Sequence, residues 1–267
     1  MSHAITYQKS FLLILLLLVV VSIGGCSKSE KEKPSPLAGK LKLIQRVSTV
    51  DESKFEYGYD NNGFLTTSKA TFKDGKGSLT EYINDSEGKP ISAIEYTTKA
   101  GEAPKKYSTV NYTYQSSRLV EYKQVKAAGL TSVQKYVYNN KNVPDSSIVI
   151  INPDSANAYV YEKYEYIVNS GGILAGQIRT TYPAILGGKI YITAEKYEFD
   201  DKPSPFASGS PAIYIPHNII KATVKHDAIP GELVYIYAFD YNANGLPIKE
   251  YSIQNGVKTL ITIYEYY

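Results

Sequence analysis

The 267-residue sequence has no tryptophan, one cysteine, one methionine and three histidines. With a single cysteine, Cys26, the chain cannot form an internal disulfide, so its stability has to come from core burial and sheet hydrogen bonds. His3, His217 and His226 are too few and too dispersed to predict a zinc site without cysteine ligands. We therefore expect no disulfide framework, no metal centre and no cofactor.

Arginine is also scarce, and the charges are nearly balanced. Only Arg46, Arg118 and Arg179 occur, and the formal net charge is +3 at pH 7. Phosphate-binding sites built from several arginine side chains are therefore not expected, and nothing indicates nucleic-acid binding. The sequence also lacks a G-x-S-x-G elbow, a P-loop and a dinucleotide fingerprint. We expect no enzyme, and no catalytic residue is assigned.

The N-terminus carries a targeting segment rather than part of the fold. Lys9 precedes an unbroken apolar run from Phe11 to Val21, and small residues lead to Cys26. Eleven apolar residues are too few for a membrane-spanning helix, but they suit the core of a signal peptide. Residues 23–26, Ile-Gly-Gly-Cys, resemble the lipobox of bacterial lipoproteins. That resemblance implies that residues 1–25 are removed and that Cys26 is lipidated.

The next segment has the composition of a tether. Residues 27–40, SKSEKEKPSPLAGK, combine charge, proline, serine and glycine without apolar periodicity. With lipidated Cys26 they form the predicted tether, residues 26–40. We expect a lipid-anchored protein at the outer membrane, on either the periplasmic or the cell-surface face.

From Leu41 onward the sequence repeats one short element. YGYDNNGFL at Tyr57 contains it most clearly, and seven further copies follow at intervals of 24 to 40 residues, the last being YEYY from Tyr264. Each copy predicts a hairpin whose first strand ends in Tyr-x-Tyr, with both rings on one face and Asp or Asn with Gly in the turn.

These repeats predict an all-β domain over residues 41–267. We expect an antiparallel meander of about 16 strands in 8 hairpins, which forms a large curled or barrel-like sheet because an open sheet rarely has so many strands. The tyrosine stripe would line the inner side. A transmembrane barrel is disfavoured because both faces of LVEYKQVK, from Leu119, carry charge. The strand LVYIYAFDY, from Leu233, should be buried on both sides.

One copy also resembles half of a calcium loop. In DYNANG, Asp240, Asn242 and Asn244 occupy ligand positions, but the twelfth position is Tyr251 instead of glutamate. Asp60, Asp85, Asp200 and Asp240 take corresponding repeat positions, with two residues fewer between Asp60 and its glycine. We favour a turn over a metal site, and turn-forming carboxylates over a carboxylate-based hydrolase, which stays the less favoured alternative.

The regular pattern breaks at residues 201–218, where a proline-rich loop stretches one repeat. This loop is predicted either to bind a partner or to cap the sheet. Candidate binding residues are Phe206, Tyr214 and His217 in the loop, and Tyr235 and Tyr237 on the strand that follows.

Two resemblances extend beyond the lipobox. The Tyr-x-Tyr-Asp-x-x-Gly-x-Leu pattern is similar to the YD repeats of Rhs-type shell proteins. The lipobox, the hairpin meander and YEFDDKPSPF with His217-Asn218 look like a family of Bacteroidota lipoproteins of unknown function. The resemblance implies an extracytoplasmic β domain without an established activity.

The sequence therefore predicts a non-enzymatic binding or interaction module, accessory to an outer-membrane protein complex. The alternative is glycan or small-ligand binding through a tyrosine-lined sheet face. The expected partners are the membrane, through the N-terminal lipid, and an outer-membrane protein or a glycan.

Overall fold

The computed structural model describes residue 35 and residues 37–47, 52–140, 143–183, 188–205 and 215–267. Cys26, the signal segment and the apex of the proline-rich loop lie outside the described residues. The described residues form sixteen strands. They are β1 (Leu41–Val47), β2 (Glu52–Tyr59), β3 (Leu65–Phe72), β4 (Lys76–Asn84), β5 (Pro90–Lys99), β6 (Lys105–Gln115), β7 (Arg118–Lys126), β8 (Thr131–Tyr138), β9 (Pro144–Ile151), β10 (Tyr159–Val168), β11 (Leu174–Thr181), β12 (Tyr191–Pro203), β13 (His217–His226), β14 (Glu232–Tyr241), β15 (Pro247–Gln254) and β16 (Val257–Tyr266).

The strands form one closed barrel. Each strand pairs antiparallel with the next along the chain, and β1 pairs with β16 to complete the circle. Closure removes the two sheet edges that an open meander of this size would expose. The prediction of a 16-strand antiparallel meander is therefore confirmed, and the sheet closes. Among the described residues, no helix has the length and apolar character needed to cross a membrane.

A hydrophobic cluster lies at the seam, the junction where the first strand pairs with the last. Ile44 lies opposite Tyr264 across the seam, and both side chains are buried together with Leu41. Phe55 and Tyr57 of β2 pack against this cluster from the next strand. Burial of these apolar groups stabilises a pairing whose partners are more than two hundred residues apart in sequence.

The paired tyrosines face the inside of the barrel. Tyr57 lies opposite Ser68, Tyr112 opposite Tyr122, and Tyr237 opposite Ser252, which places these side chains on the same face as the cavity-lining residues described below. Small inner residues lie between the rings, and several of them are fully buried (Ala93, Ser108, Val110 and Ser147). The predicted tyrosine stripe on the inner face is present.

The second aromatic position of several repeats joins neighbouring hairpins. The hydroxyls of Tyr59, Tyr138 and Tyr266 donate to the backbone carbonyls of Leu41, Leu119 and Pro247, at 2.9, 2.8 and 2.8 Å. Asn84 makes the same contact with the carbonyl of Leu65 through its amide, at 2.8 Å. Each acceptor lies 18 or 19 residues earlier, so the hydrogen bond links one hairpin to the hairpin before it. These tyrosines are structural.

Replacing Tyr138 by phenylalanine tests this structural role. We expect a loss of about 1 kcal/mol in the free energy of unfolding, because the carbonyl of Leu119 loses its hydroxyl donor. Tyr237→Phe is the matched control, since no hydrogen-bond partner of the Tyr237 hydroxyl occurs among the described residues, and its effect should be near zero. Equilibrium denaturation of both variants gives the comparison; equal losses would contradict the assignment.

The turns that follow these strands share one geometry. The side-chain oxygen of Asp60 accepts from the backbone N–H groups of Asn62 and Phe64, and that of Asn242 accepts from Asn244 and Leu246. Asp85 and Asn169 form the same turn. A side chain that bonds its own backbone two residues on is the usual reason for Asp and Asn in turns.

This geometry corrects the assumed alignment of the repeats. Asn242, not Asp240, is the counterpart of Asp60, and the two loops have the same length. Asp240 lies on the outer face of β14, where it accepts from the hydroxyl of Tyr251 at 2.5 Å and lies 3.5 Å from the ammonium group of Lys258. The sequence alignment was wrong because Asp240 and Asn242 both precede the same glycine within six residues.

The strand from Leu233 is not buried on both sides, as the sequence suggested. Val234 and Ile236 on its outer face are 51% and 41% exposed, and Leu233 and Tyr235 on its inner face are each 42% exposed. The barrel wall is a single β-sheet, and its 16 strands enclose an interior too wide for side chains to fill. A continuous apolar run here marks a wall between solvent and lumen.

Both ends of the domain leave the barrel on one side. Gly39 and Lys40 bond the backbone of Tyr267, beside the turns that carry Asp60, Asp85 and Asn242. We call this rim the terminal end of the barrel. The two described ends of the connection between β12 and β13 lie at the same rim, where the N–H of Ser204 donates to the carbonyl of Pro216 at 2.8 Å.

Candidate functional site

A cavity of about 600 Å³ lies inside the barrel, against the terminal end. This volume is within the range of about 300–1,000 Å³ found for small-molecule sites. Six aromatic rings line it: Phe55, Tyr57, Tyr197, Tyr237, Phe239 and Tyr264. Its polar lining residues are Arg46, Ser204, His217, Asn218, Glu250 and Thr262.

The sequence candidates fall on three places. Tyr237 and His217 line the cavity, and Tyr235 lies on the same inner face two residues from Tyr237. Phe206 and Tyr214 lie outside the described residues, so their predicted role stays a prediction. The sequence missed Arg46 and Glu250, because only barrel closure brings the first strand beside the last.

The Glu250 side chain is positioned by a buried tyrosine. The hydroxyl of Tyr264 donates to a Glu250 carboxylate oxygen at 2.7 Å, and Tyr264 is itself buried. Burial raises the pKa of Tyr264, and the negative charge of Glu250 adds to the shift. The pKa of Tyr237 is raised by burial and then by Glu250, while the positive charge of Arg46 acts in the opposite direction. The cavity thus holds one carboxylate and one guanidinium among aromatic walls.

The base of the proline-rich loop is held by one carboxylate. Asp200 accepts from the backbone N–H of Asn218 at 3.1 Å and from its side-chain amide, and the hydroxyl of Tyr241 donates to it as well. It also forms the usual turn contact with the N–H of Lys202. Asn218 is 4% exposed. Asp200 thus fixes both ends of the loop where Ser204 and His217 meet the cavity.

The proposed calcium ligands are not arranged as a metal site. The Asn242 oxygen is occupied by two backbone donors, and Asp240 points to the other side of the wall toward Tyr251. Among the described residues, no group of three or more His, Cys, Asp or Glu side chains could hold a metal ion.

Elsewhere the lumen carries polar side chains bonded to one another. Glu95 accepts from Ser108 and, at 2.6 Å, from the amide of Gln124. Glu195 accepts from Tyr197 on the same strand, β12, and from Gln177 on the neighbouring strand, β11. These internal partners satisfy polar groups that are partly buried on the inner face. Glu95 and Glu195 therefore have a structural role in the wall.

The inner tyrosines predict a stability loss at alkaline pH. Burial raises the pKa of Tyr59 to about 12 and that of Tyr114 to about 12, whereas an unfolded tyrosine titrates near 10. Because the folded state holds the proton more tightly, this contribution is fully present below about pH 10 and is lost as pH rises toward 12. Denaturant unfolding across that range, with phenolate absorbance as the second signal, measures it. A loss that begins well below pH 10 would contradict the burial argument.

The outer face of the barrel carries ion pairs along its strands. Lys54 pairs with Glu56 at 2.9 Å on β2, and Lys163 pairs with Glu165 at 2.8 Å on β10. Lys221 of β13 pairs with Glu198 of β12 at 2.6 Å. Exposed pairs of this kind add little stability, but they define a hydrated surface.

Fold and cavity together define a closed 16-strand antiparallel barrel with a small internal site. Two solved structures are similar. A porin-like protein from Bacteroides uniformis is 13% identical, with 88% of this chain and 99% of that chain covered and a TM-score of 0.54. A porin-like protein from Bacteroides vulgatus is 8% identical, with 85% and 98% covered and a TM-score of 0.55.

At these identities the likeness concerns the fold alone. No protein-family model matches the chain, and no curated protein matches it.

Proposed function

We propose that this protein is a non-enzymatic, lipid-tethered binding protein of the outer membrane, and that its barrel encloses a site for one small ligand. The observation that carries this function is the cavity of about 600 Å³ with six aromatic rings and a few polar groups. Mostly apolar walls with a small number of oriented polar groups are typical of ligand pockets.

The outer face supports a barrel held beside the membrane instead of within it. A barrel in a bilayer needs an apolar outer band, yet Lys54, Glu165 and Lys221 point outward from the strands. Lipidation of Cys26 would supply the membrane attachment.

Lys40 leaves from the terminal end of the barrel, and the cavity lies against the same end. The accessory role in an outer-membrane complex stays a prediction, since the apex of the proline-rich loop lies outside the described residues.

A tryptophan reporter tests the site, because the sequence contains no tryptophan. Phe239→Trp places the only indole in the cavity, and Ile236→Trp places it on the outer face of the same strand. We expect anilinonaphthalene sulfonate to quench the first indole by energy transfer at saturable, one-to-one stoichiometry and to leave the second almost unchanged. Equal quenching, or none, would contradict a binding cavity in the lumen.

A further inference from the structure

Four inner side chains form a row across neighbouring strands. Three of them line the cavity, and the fourth, Ser53, continues the row on β2 beside Arg46. Glu250 lies opposite Thr262, Thr262 opposite Arg46, and Arg46 opposite Ser53. Adjacent strands are about 4.8 Å apart, so the row extends for roughly 14 Å. We call Glu250, Thr262, Arg46 and Ser53 the polar row. Its chemistry alternates: a carboxylate, a hydroxyl, a guanidinium and a hydroxyl.

Part of this row lacks partners within the described protein. The Ser53 hydroxyl is buried, with the residue 5% exposed, and it has no hydrogen-bond partner among the described residues. Glu250 has one hydrogen bond, from Tyr264, and none of the ion pairs among the described residues includes it. A buried hydroxyl without a partner costs about 1–3 kcal/mol, which a ligand group that bonds it would recover.

Aromatic rings border the row on both sides. Tyr264 and Phe55 lie on the neighbouring inner positions toward the terminal end, and Phe239 is paired directly with Glu250. Tyr237 lies one inner position farther along, toward the opposite end. The hydroxyls of Tyr57 and Tyr237 have no hydrogen-bond partner among the described residues. A ligand on this wall thus meets flat apolar faces beside a line of donors and acceptors.

We propose that the polar row is a carbohydrate subsite that binds a neutral disaccharide of two pyranose rings. Sugar rings have an apolar face that stacks on tyrosine and phenylalanine. Their hydroxyls both donate and accept, so one class of group can donate to Glu250, accept from Arg46 and bond the hydroxyls of Thr262 and Ser53. Two linked rings match the length of the row. This inference rests on the proposed function of the cavity.

A fatty acyl chain fits the same space less well. It would fill the aromatic part of the cavity but cover Glu250 and Ser53 without bonding them. Covering a carboxylate and a hydroxyl in this way carries a desolvation cost. Laurate is therefore the competing ligand in the test.

Titration calorimetry on the full-length protein tests the subsite. The probes are neutral disaccharides of glucose, galactose, mannose and N-acetylglucosamine in α and β linkages, with laurate and anilinonaphthalene sulfonate as amphiphiles. We expect at least one disaccharide to bind one-to-one and to displace anilinonaphthalene sulfonate. Glu250→Ala should weaken that disaccharide by about tenfold or more, because it removes a charged acceptor.

Ser53→Ala is the more specific test, because it should weaken ligand binding without lowering stability. It removes a hydroxyl that has no partner in the described protein, so the unfolding midpoint should not fall while disaccharide binding weakens about fivefold. Glu265→Ala, on the outer face next to Tyr264, is the matched control and should change neither.

The outcomes separate the two proposals. If amphiphiles bind and no disaccharide competes, the carbohydrate subsite is wrong while the cavity remains a ligand site. If no probe binds, the proposed function itself fails. Disaccharide binding that is unchanged in both Ser53→Ala and Glu250→Ala would also overturn the polar row.

Discussion

Replacing Asp200 by alanine should lower the free energy of unfolding by about 3 kcal/mol, the largest effect expected from a single polar side chain in this barrel. Asp200 accepts from the backbone and side-chain amides of Asn218, from the hydroxyl of Tyr241 and from the N–H of Lys202. Without the carboxylate, the buried amide of Asn218 loses its charged acceptor. The base of the proline-rich loop would open toward the cavity.

Asp85→Ala is the matched control, because Asp85 forms the same turn without the additional partners. Its oxygen accepts only from the N–H groups of Glu87 and Lys89, so its loss should cost about 1 kcal/mol. Equilibrium denaturation in urea measures both. Equal effects would show that Asp200 is an ordinary turn residue and that the loop base is not fixed by it.

Gly176→Ala should be comparably destabilising, by about 3 kcal/mol, through a steric route. A methyl group at Gly176 would overlap the backbone carbonyl of Glu195 on the neighbouring strand. A backbone oxygen cannot rotate away, so β11 and β12 have to separate. Because Glu195 faces the lumen beside Tyr197, the change would also disturb the cavity wall.

Gly171→Ala serves as its control. The backbone there is not in the left-handed region, and the nearest atom to an added methyl is a side-chain oxygen of Asn169 at 3.3 Å. Its effect on the free energy of unfolding should stay within about 1 kcal/mol. Thermal and denaturant unfolding of both variants decide the matter, and a Gly176→Ala protein as stable as the native one would refute the close approach of the strands.

The local sequence pattern was sufficient to predict the hairpins. Tyr57 and Tyr59 flank one residue and precede Asp60 and Gly63, so alternation places both rings inward and the turn residues close the hairpin. The same reasoning yields the strand number and the tyrosine-lined interior, both of which the structure has. These features depend on neighbours within about twenty residues.

Barrel closure and the composition of the site depend on contacts that local pattern does not encode. The pairing of Ile44 with Tyr264 brings Arg46 beside Thr262 and Glu250, although more than two hundred residues separate them in sequence. Nothing in the residues around Arg46 signals that partner. The tyrosine pattern also could not distinguish the tyrosines that line the cavity from structural tyrosines such as Tyr59 and Tyr138, whose hydroxyls donate to backbone carbonyls.

The apolar strand from Leu233 was misjudged for a related reason. An apolar residue at every position usually means burial on both faces. Here the two faces meet lumen and solvent, and Tyr235 stays exposed on the inner side. Tyr237, two residues on, lines the cavity.

Native mass spectrometry of the full-length protein, released gently from its own membranes, tests the central claim most directly. We predict one small-molecule adduct per chain, lost in a Tyr237→Ala, Phe239→Ala double variant and retained in the outer-face variant Ile236→Ala. A stoichiometric protein partner without any small-molecule adduct, unchanged in the double variant, would contradict a ligand site in the lumen and favour the accessory-subunit role instead.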